Sequence, residues 1–326
     1  MIQANIKSRV VGVDISLDKT SLAVVDIRGN IIATDDFVTS EYPMVGDYIT
    51  VLSEHILSLV EQNGGYEQIR SVGISTPSGN YRTGCIENSP NMPWKGVVPM
   101  AAMLRDRLGI AVGLGNNAHS MALGEQAFGA AHGMKDFIII SLGSGLGSCI
   151  FSNGLPLLGA DGFAGEVGHT CVKPGGRQCG CGKLGCLEAY TAAKGLACTA
   201  REVMQEDPRP SLMRHTEQLT PRIIASLCDQ GDELAIETYR RAGYLLGLGL
   251  ANYASVLNPE AIIFTGGLTQ AGHWLLGPTS ESFEQHVFHN IDGKVRFVLS
   301  SLDDNLRNML GASVLAWEVK EYSLFK

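Results

Sequence analysis

The chain has 326 residues, of which 45% are hydrophobic and 18% are charged. This length suits two domains better than one, and the balance is ordinary for a globular enzyme or binding protein. The formal net charge of −8 argues against a nucleic-acid-binding surface, which needs a basic face. No apolar run reaches the ~18 residues of a membrane span, so no membrane segment is expected.

Cysteine usage indicates the compartment. The chain has eight cysteines, four of them scattered: Cys85, Cys149, Cys198 and Cys228. In a chain of this size, reduced thiols in a reducing compartment explain that scatter better than a disulfide scaffold. The N-terminal stretch MIQANIKSRVVGVDIS also lacks the apolar region of a signal peptide. A cytoplasmic protein is therefore expected.

The first part of the chain alternates strand and helix patterns. Short apolar runs predict strands at 10–14, 21–26 and 31–37, and their spacing predicts an antiparallel meander. Apolar residues at helical spacing predict a helix over 48–62. A strand at 69–75, a long loop, a helix at 98–108 and a strand at 110–114 follow. This order predicts a mixed sheet covered by helices.

The second part repeats this outline. A helix is predicted at 117–131, then strands at 137–142 and 146–151. The stretch 196–240 reads as mostly helical with an interruption near 206–210, and 232–257 as one long helix. Its small residues allow close helix packing: Ala242, Gly243, Gly247, Gly249 and Ala251. Strands at 261–265 and 295–300 and a closing helix at 306–320 complete the chain. The two halves look alike in pattern.

The stretch 166–188, EVGHTCVKPGGRQCGCGKLGCLE, has the spacing of a metal site. Three thiols and one imidazole can close around a single ion, and this donor set favours tetrahedral zinc. The ligands would be His169, Cys179, Cys181 and Cys186. A filled four-ligand set leaves no position for water, so the metal should be structural. The alternative is buried free cysteines beside a histidine, for which a glycine-rich loop is a poor setting.

Three turns that follow strands are candidates to face phosphate. The first begins at Asp14. The second is the hairpin Gly143-Ser144-Gly145, whose glycines leave backbone N–H groups free for an anion and whose serine adds a hydroxyl. The third is Gly266-Gly267, at the end of a late strand. Each alone is also an ordinary turn, so their order along the chain is the informative feature.

This order, with the cysteine-rich loop between the second and third turns, resembles the ROK family of sugar kinases and sugar-responsive repressors. The resemblance runs from about residue 10 to 316. It is most specific in Gly165-Glu166-Val-Gly-His169 and in Cys179-Gly-Cys181 through Cys186-Leu-Glu188. It implies the actin-like ATPase (ribonuclease H-like) fold, an α/β fold of two domains with a cleft between them. The expected domains are 1–116 with about 312–326, and 117–311 with the zinc loop.

The resemblance also implies a sugar site. In this family a hexose lies in the cleft, and Glu166, His169 and Glu188 match the residues that bind its hydroxyls. Asn91, in Asn88-Ser-Pro-Asn91, matches a further sugar ligand. His169 is assigned to both metal and sugar, which is feasible because a histidine has two ring nitrogens. The alternative for Glu188 is a helix cap, since a helical stretch follows it.

The family's catalytic position differs here. The family transfers the γ-phosphoryl group of ATP to a sugar hydroxyl, usually O6, using an aspartate as general base. The matching run, Gly115-Asn116-Asn117-Ala118-His119, has Asn117 at that position. An amide takes no proton, and a positioned base contributes roughly 10²–10⁴-fold. The rate of phosphoryl transfer should therefore be strongly reduced, while Asn116 and Asn117 still bind sugar. His119 is disfavoured as a substitute because the helix turns it away.

The first phosphate turn differs as well. The family pattern is Asp-x-Gly-Gly-Thr, whereas this chain reads Asp14-Ile15-Ser16-Leu17-Asp18-Lys19. Asp18 would repel a triphosphate unless a cation intervenes, and Lys19 can offset it. Asp14, expected to act through Mg²⁺, is retained. The predicted nucleotide residues are thus Asp14, Ser16 and Lys19 together with the glycine turns.

Two interpretations follow. The first is a ROK-type, glucokinase-like hexose kinase, a transferase of carbohydrate metabolism that uses ATP and Mg²⁺, holds a structural zinc and accepts a hexose or hexosamine. The alternative is a catalytically impaired sugar-binding sensor or regulatory protein. The repressor branch normally adds an N-terminal helix-turn-helix domain, and this chain begins with the first strand, so DNA binding is disfavoured. Family members are often dimers, so a homodimer is expected.

Overall fold

The computed structural model describes residues 7–90, 92–303 and 306–319. The strands are β1 Arg9–Ile15, β2 Thr20–Asp26, β3 Ile31–Phe37, β4 Ile69–Thr76, β5 Gly79–Asn80, β6 Cys85–Glu87, β7 Val97–Val98, β8 Ala111–Asn116, β9 Phe137–Leu142, β10 Leu146–Ser152, β11 Leu155–Pro156, β12 Ala261–Thr265 and β13 Arg296–Leu299. The helices are α1 Val45–Glu61, α2 Met100–Leu108, α3 Asn117–Phe128, α4 Glu188–Thr191, α5 Ala193–Glu206, α6 Pro221–Asp229, α7 Glu233–Leu257, α8 His273–His286 and α9 Arg307–Glu318.

The chain forms two compact units, each built on a five-stranded sheet. The first unit comprises the described residues up to His132, Leu158–Phe163 and those from Ser301 onward; the second comprises Gly133–Leu157 and Ala164–Ser300. The strand orders are β3-β2-β1-β4-β8 and β11-β10-β9-β12-β13. In each, three antiparallel strands are followed by two parallel ones. The predicted similarity of the two halves is confirmed in this shared topology.

Most predicted elements are present with shifted ends. Strands β3, β9 and β12 have the predicted bounds, and the interruption near residue 206 is the end of α5. The helix predicted to residue 131 ends at Phe128, where Gly129 follows in an extended conformation. Sequence patterns gave no sign of β5–β7, because strands of two or three residues are too short to show alternation. They also gave none of α8, whose interior contains Pro278.

Helix α3 belongs to the first unit, although the sequence placed the division between residues 116 and 117. It packs on α9 so closely that a Cβ at Gly311 would overlap the carbonyl oxygen of Ser120. The buried Glu125 on α3 also forms an ion pair with Arg307 on α9 at 3.6 Å. Helix α9 therefore packs against α3 within the first unit.

Helix α9 also lies directly on β1 and β4 at two glycines. A Cβ at Gly12 would overlap the carbonyl oxygen of Met309, and one at Gly73 that of Ala312. Both neighbours are backbone atoms, which cannot move without shifting the helix. The absence of side chains on these two residues therefore sets the distance between helix and sheet.

We expect Gly73→Ala to lower the free energy of unfolding by about 1–3 kcal/mol, because overpacking must push α9 off the sheet. Denaturant unfolding followed by circular dichroism measures this change. The matched control is Gly46→Ala on the exposed side of α1, where an added Cβ meets no atom within 4 Å. Alanine is the better helix former, so the control should be neutral or stabilising by up to about 1 kcal/mol. Equal stabilities for the two variants would contradict the packing argument.

The second unit is organised around the long helix α7. Asp232 caps its N-terminus by accepting hydrogen bonds from the backbone N–H groups of Leu234 and Ala235. Gly243 and Gly247 face α8, where a Cβ would meet the backbone of Leu275 and Thr279. The predicted close packing by small residues is confirmed. Among all the described residues, no helix is both long enough and apolar enough to cross a bilayer.

Candidate functional site

The four predicted metal ligands come together in the second unit. One ligand atom from each of His169, Cys179, Cys181 and Cys186 lies within 4.8 Å of the others. The Cys181 and Cys186 sulfurs are 3.7 Å apart, and the Cys179 sulfur is 3.6 Å from His169 Nδ1. Zinc bonds of ~2.3 Å to sulfur and ~2.0 Å to nitrogen give tetrahedral edges of about 3.5–3.8 Å. The residues therefore fit a four-coordinate zinc, with Nδ1 as the histidine donor.

The backbone of the loop brings these ligands together. The N–H of Cys179 donates to the carbonyl of Lys183 at 2.8 Å, which closes a tight turn over Gly180-Cys181-Gly182. Gly182 adopts a positive φ of 87°, a conformation that favours glycine. The turn places Cys179 and Cys181 on the same side of the loop. Residues between the ligands thus serve to reverse the chain.

Arg177 fastens this loop to the helices that follow it. Its guanidinium donates to the carboxylate of Glu202 at 2.6 Å and to the carbonyl of Gly195 at 2.9 Å, and lies 4.5 Å from the centroid of the Tyr190 ring. The hydrogen bonds hold the pKa of Glu202 below its usual value. The loop is therefore ordered by α4 and α5 as well as by its own turns.

The two predicted sugar-binding glutamates flank the metal loop, the segment from His169 to Cys186 that carries the four candidate metal ligands. Glu166 precedes a short 3-10 turn, Val167–His169, and its backbone carbonyl accepts from the N–H of His169 at 3.1 Å. Its carboxylate accepts no hydrogen bond within the described part of the chain. Glu188 is the first residue of α4; its Oε1 lies 3.6 Å from the Cys179 sulfur and its Oε2 accepts from the N–H of Leu146 at 2.9 Å. Glu188 is therefore not a cap of α4, because its carboxylate bonds to the glycine hairpin.

The two glycine turns of the second unit meet at one sheet edge. Strands β9 and β12 are parallel neighbours, with Ser141 opposite Thr265. The hairpin Gly143-Ser144-Gly145 and the turn Gly266-Gly267 therefore both lie at the carboxyl ends of these strands. Gly266 has a φ of 91°, and a Cβ there would overlap Leu142. Added side-chain carbons at Gly143 and Gly267 would meet no atom within 4 Å. Open backbone of this kind is suited to an anion.

A polar cluster ends the parallel strands of the first unit. Asp14 is the penultimate residue of β1 and lies opposite Ser75 of β4, and Asn117 begins α3 directly after β8. The Ser75 hydroxyl donates to Asn117 Oδ1 at 3.1 Å. Asn116 caps α3 by accepting from the N–H of His119 at 2.7 Å, which leaves its amide nitrogen free to donate. The position predicted to match the family's base thus carries an amide whose oxygen is already an acceptor.

Asp14 is held from the far end of the chain. The Asn308 side chain on α9 donates to Asp14 Oδ2 at 3.1 Å, whereas Oδ1 is buried without a partner in the part of the chain that the structure describes. Burial raises the pKa of Asp14, and the hydrogen bond from Asn308 lowers it in part. An unpartnered buried carboxylate oxygen is a ready acceptor for a hydrated cation.

His119 is not placed as a substitute base. It is buried on α3, with its ring 4.9 Å from the Tyr81 ring in an edge-to-face arrangement. Burial lowers the pKa of His119 to about 4. It is therefore neutral at pH 7 and packed into the core, in agreement with the direction expected from its helix position.

Two predicted nucleotide residues are engaged locally. The Ser16 hydroxyl donates to the carbonyl of Lys19 at 2.9 Å, which closes the turn between β1 and β2. Lys19 pairs with Asp36 on β3 at 2.5 Å, with both side chains 54% exposed, so it is tied to a neighbouring strand and not to Asp18. The last sugar-site prediction, Asn91, lies outside the described residues.

Sequence reasoning did not find Ser75, Leu146 or Asn308. Ser75 had a usable signal, because carboxyl ends of parallel neighbours meet at one edge and Ser75 pairs with Asp14 in register. Leu146 acts through its backbone N–H and Asn308 is 294 residues from Asp14. No pattern in the sequence predicts the contact of Leu146 with Glu188 or that of Asn308 with Asp14.

Comparison with known proteins gives a consistent result. The sequence profile of the ROK family matches residues 10–319. A glucokinase of Halalkalibacterium halodurans is 31% identical over 321 residues, which are 95% of this chain and 94% of that protein. A ROK family glucokinase from Streptomyces griseus, solved with glucose and AMPPNP, superposes with a TM-score of 0.76 at 28% identity, covering 95% of this chain and all of that one. A ROK hexokinase from Thermus thermophilus gives 0.78 at 26% identity, covering 95% and 98%. The fold is therefore that of the actin-like ATPases.

Proposed function

Since this chain belongs to the ROK family, we propose that it is an ATP-dependent hexose kinase of glucokinase type. The reaction transfers the γ-phosphoryl group of ATP to a hexose hydroxyl, with O6 as the expected acceptor. The observation that supports this most directly is the cysteine–histidine loop, whose ligand distances suit zinc and whose flanks present Glu166 and Glu188. Relatives of nearly equal length carry the name glucokinase.

The sugar ligands are assigned to both sides of the metal loop. Carboxylate oxygens of Glu166 and Glu188 accept from hexose hydroxyls, and His169 Nε2 remains available because Nδ1 faces the sulfurs. Zinc, when bound, cross-links the loop and so fixes the position of these groups. In the first unit, the amide nitrogens of Asn116 and Asn117 can donate to hydroxyl oxygens.

The phosphate ligands are assigned to backbone and to Asp14. The N–H groups of Ser144 and Gly145 donate no hydrogen bond within the described residues, so they can face phosphoryl oxygens. Asp14 offers its unpartnered oxygen to a hydrated Mg²⁺. Transfer breaks the bond between the γ-phosphorus and the β–γ bridging oxygen and forms one to the sugar oxygen. The hydroxyl proton must leave without a carboxylate at position 117, which makes turnover slow.

A coupled ADP-release assay across a hexose panel tests this proposal. The panel is glucose, N-acetylglucosamine, mannose, fructose and allose, with calorimetry for each sugar and for ATP. We expect ADP formation with at least one hexose at a rate below the ~1 s⁻¹ lower end of the ordinary enzyme range. Calorimetry that detects sugar binding but no ATP binding would refute the kinase proposal.

The second candidate function is a sugar-binding sensor that has lost catalysis. It is favoured by one observation, the amide at the base position, whose oxygen accepts from Ser75. A sensor binds sugar with no ADP release at any ATP concentration. Turnover above ~1 s⁻¹ would exclude it. For either function we expect a cytoplasmic homodimer. Light scattering on a sizing column measures the oligomeric state.

A further inference from the structure

Beyond its role as a sugar ligand, we propose that Glu188 is a positioning residue for the hairpin Gly143–Leu146, so that removing its carboxylate weakens nucleotide binding even when no sugar is present. This inference rests on the proposed function, in which the hairpin faces the phosphates of ATP. It connects two parts of the second unit that the sequence keeps apart, the metal loop and the glycine hairpin.

The contact itself is specific. Glu188 Oε2 accepts from the N–H of Leu146 at 2.9 Å. A Cβ at Gly145 would lie 2.7 Å from that same oxygen, so glycine at this position is what lets the carboxylate reach the backbone. A charge-assisted hydrogen bond to a backbone N–H is stronger than a neutral one, and here it fixes the residue that ends the hairpin turn.

A second bond from the same segment holds the other side of the turn. The N–H of Ala193, at the start of α5, donates to the carbonyl of Gly143 at 3.0 Å. The hairpin is thus held at Gly143 by Ala193 and at Leu146 by Glu188, both of which belong to the segment that follows Cys186. Between these two points, the N–H groups of Ser144 and Gly145 have no acceptor within the described residues. The segment after the last zinc ligand therefore orients the two donors that remain for phosphate.

The other oxygen of Glu188 faces the metal loop. Oε1 lies 3.6 Å from the Cys179 sulfur, so the carboxylate spans the space between the cysteine loop and the hairpin. A side chain that contacts both ends has few rotamers available, which is the requirement for a positioning role. Glu166, on the other flank of the same loop, makes no such link, because its carboxylate bonds to no described residue.

Calorimetry with Mg²⁺ and AMPPNP, without sugar, tests the inference. We expect Glu188→Ala to weaken nucleotide binding about 10-fold or more, the effect of losing one hydrogen bond to a charged group. Glu188→Gln should remain within about 3-fold of the unmodified protein, since an amide oxygen still accepts from Leu146. As the control, Glu284→Ala removes an exposed carboxylate from α8 and should bind nucleotide as the unmodified protein does. Unchanged affinity in Glu188→Ala, or equal losses in Glu188→Ala and Glu284→Ala, would overturn the inference.

A second measurement separates this inference from the proposed function. If the unmodified protein binds no Mg²⁺-AMPPNP, the kinase proposal fails, and the hairpin is then followed by amide hydrogen exchange of residues 143–147. Glu188→Ala should exchange at least about 10-fold faster there than Glu188→Gln, because the Leu146 N–H loses its acceptor. Equal exchange in the two variants would show that Glu188 does not hold the hairpin. Zinc content and circular dichroism confirm that each variant is folded.

Discussion

Asn117→Asp should raise the rate of ADP formation by about 100-fold or more, within the roughly 10²–10⁴-fold range of a positioned general base. The substitution is nearly isosteric, and an aspartate oxygen still accepts from the Ser75 hydroxyl. Residue 117 is the first of α3, where the helix dipole stabilises a negative charge. The carboxylate should therefore be ionised at pH 7 and ready to take the hydroxyl proton.

The neighbouring Asn116→Asp variant is the matched control. It adds the same charge one residue earlier, and aspartate caps a helix as well as asparagine does, so α3 should remain intact. Because Asn116 Oδ1 faces the N–H of His119, this carboxylate is occupied and should give no gain in rate. Sugar affinity, measured by calorimetry, should change little in Asn117→Asp. A gain of less than about 3-fold there, or similar gains in both variants, would mean that the missing base does not limit the reaction.

Removal of the metal should have the second large effect. Chelation, or Cys186→Ser, takes away the cross-link that joins His169 to the three thiols, and we expect sugar affinity to fall about 10- to 100-fold, the usual cost of disordering a metal site's surroundings. The melting temperature should fall as well, since a metal that binds only the folded state stabilises it by mass action. Elemental analysis should find one zinc per chain before chelation and none after it.

Cys171→Ser is the control for this experiment. Cys171 is exposed and lies outside the four-residue cluster although it belongs to the same loop. Its substitution should leave zinc content and sugar affinity unchanged. Zinc-free protein that binds sugar as tightly as the metal-loaded protein would show that the loop is ordered by Arg177 and the helices alone. Protein purified without chelator and found free of metal would refute the zinc assignment itself.

The cluster of four candidate metal ligands could be predicted from the sequence because its geometry is local. His169 to Cys186 form one short loop, and the spacing of thiols and glycines limits the ways in which the chain can fold on itself. The sheets could be predicted for a related reason: alternation and apolar runs report burial directly. The two halves share one strand order, and that likeness was already visible as a repeated outline.

The remaining parts of the site depend on distant residues. The contacts of Asp14 with Asn308 and of Glu188 with the Leu146 N–H join elements far apart in the chain. Local patterning cannot identify such partners, because each depends on how sheets and helices pack. Lys19 shows the same limit: its charge suggested phosphate, yet the register of β2 with β3 brings Asp36 close enough to pair with it.

The position of α9 has a consequence for biosynthesis. The first sheet is formed from strands made early, but the helix that covers Gly12 and Gly73 is made only after the whole second unit. Until then, one face of a five-stranded sheet lacks its cover, and the first unit cannot complete its core. A nascent chain stopped shortly before residue 307 should consequently be protease-sensitive in its first unit and should bind chaperones.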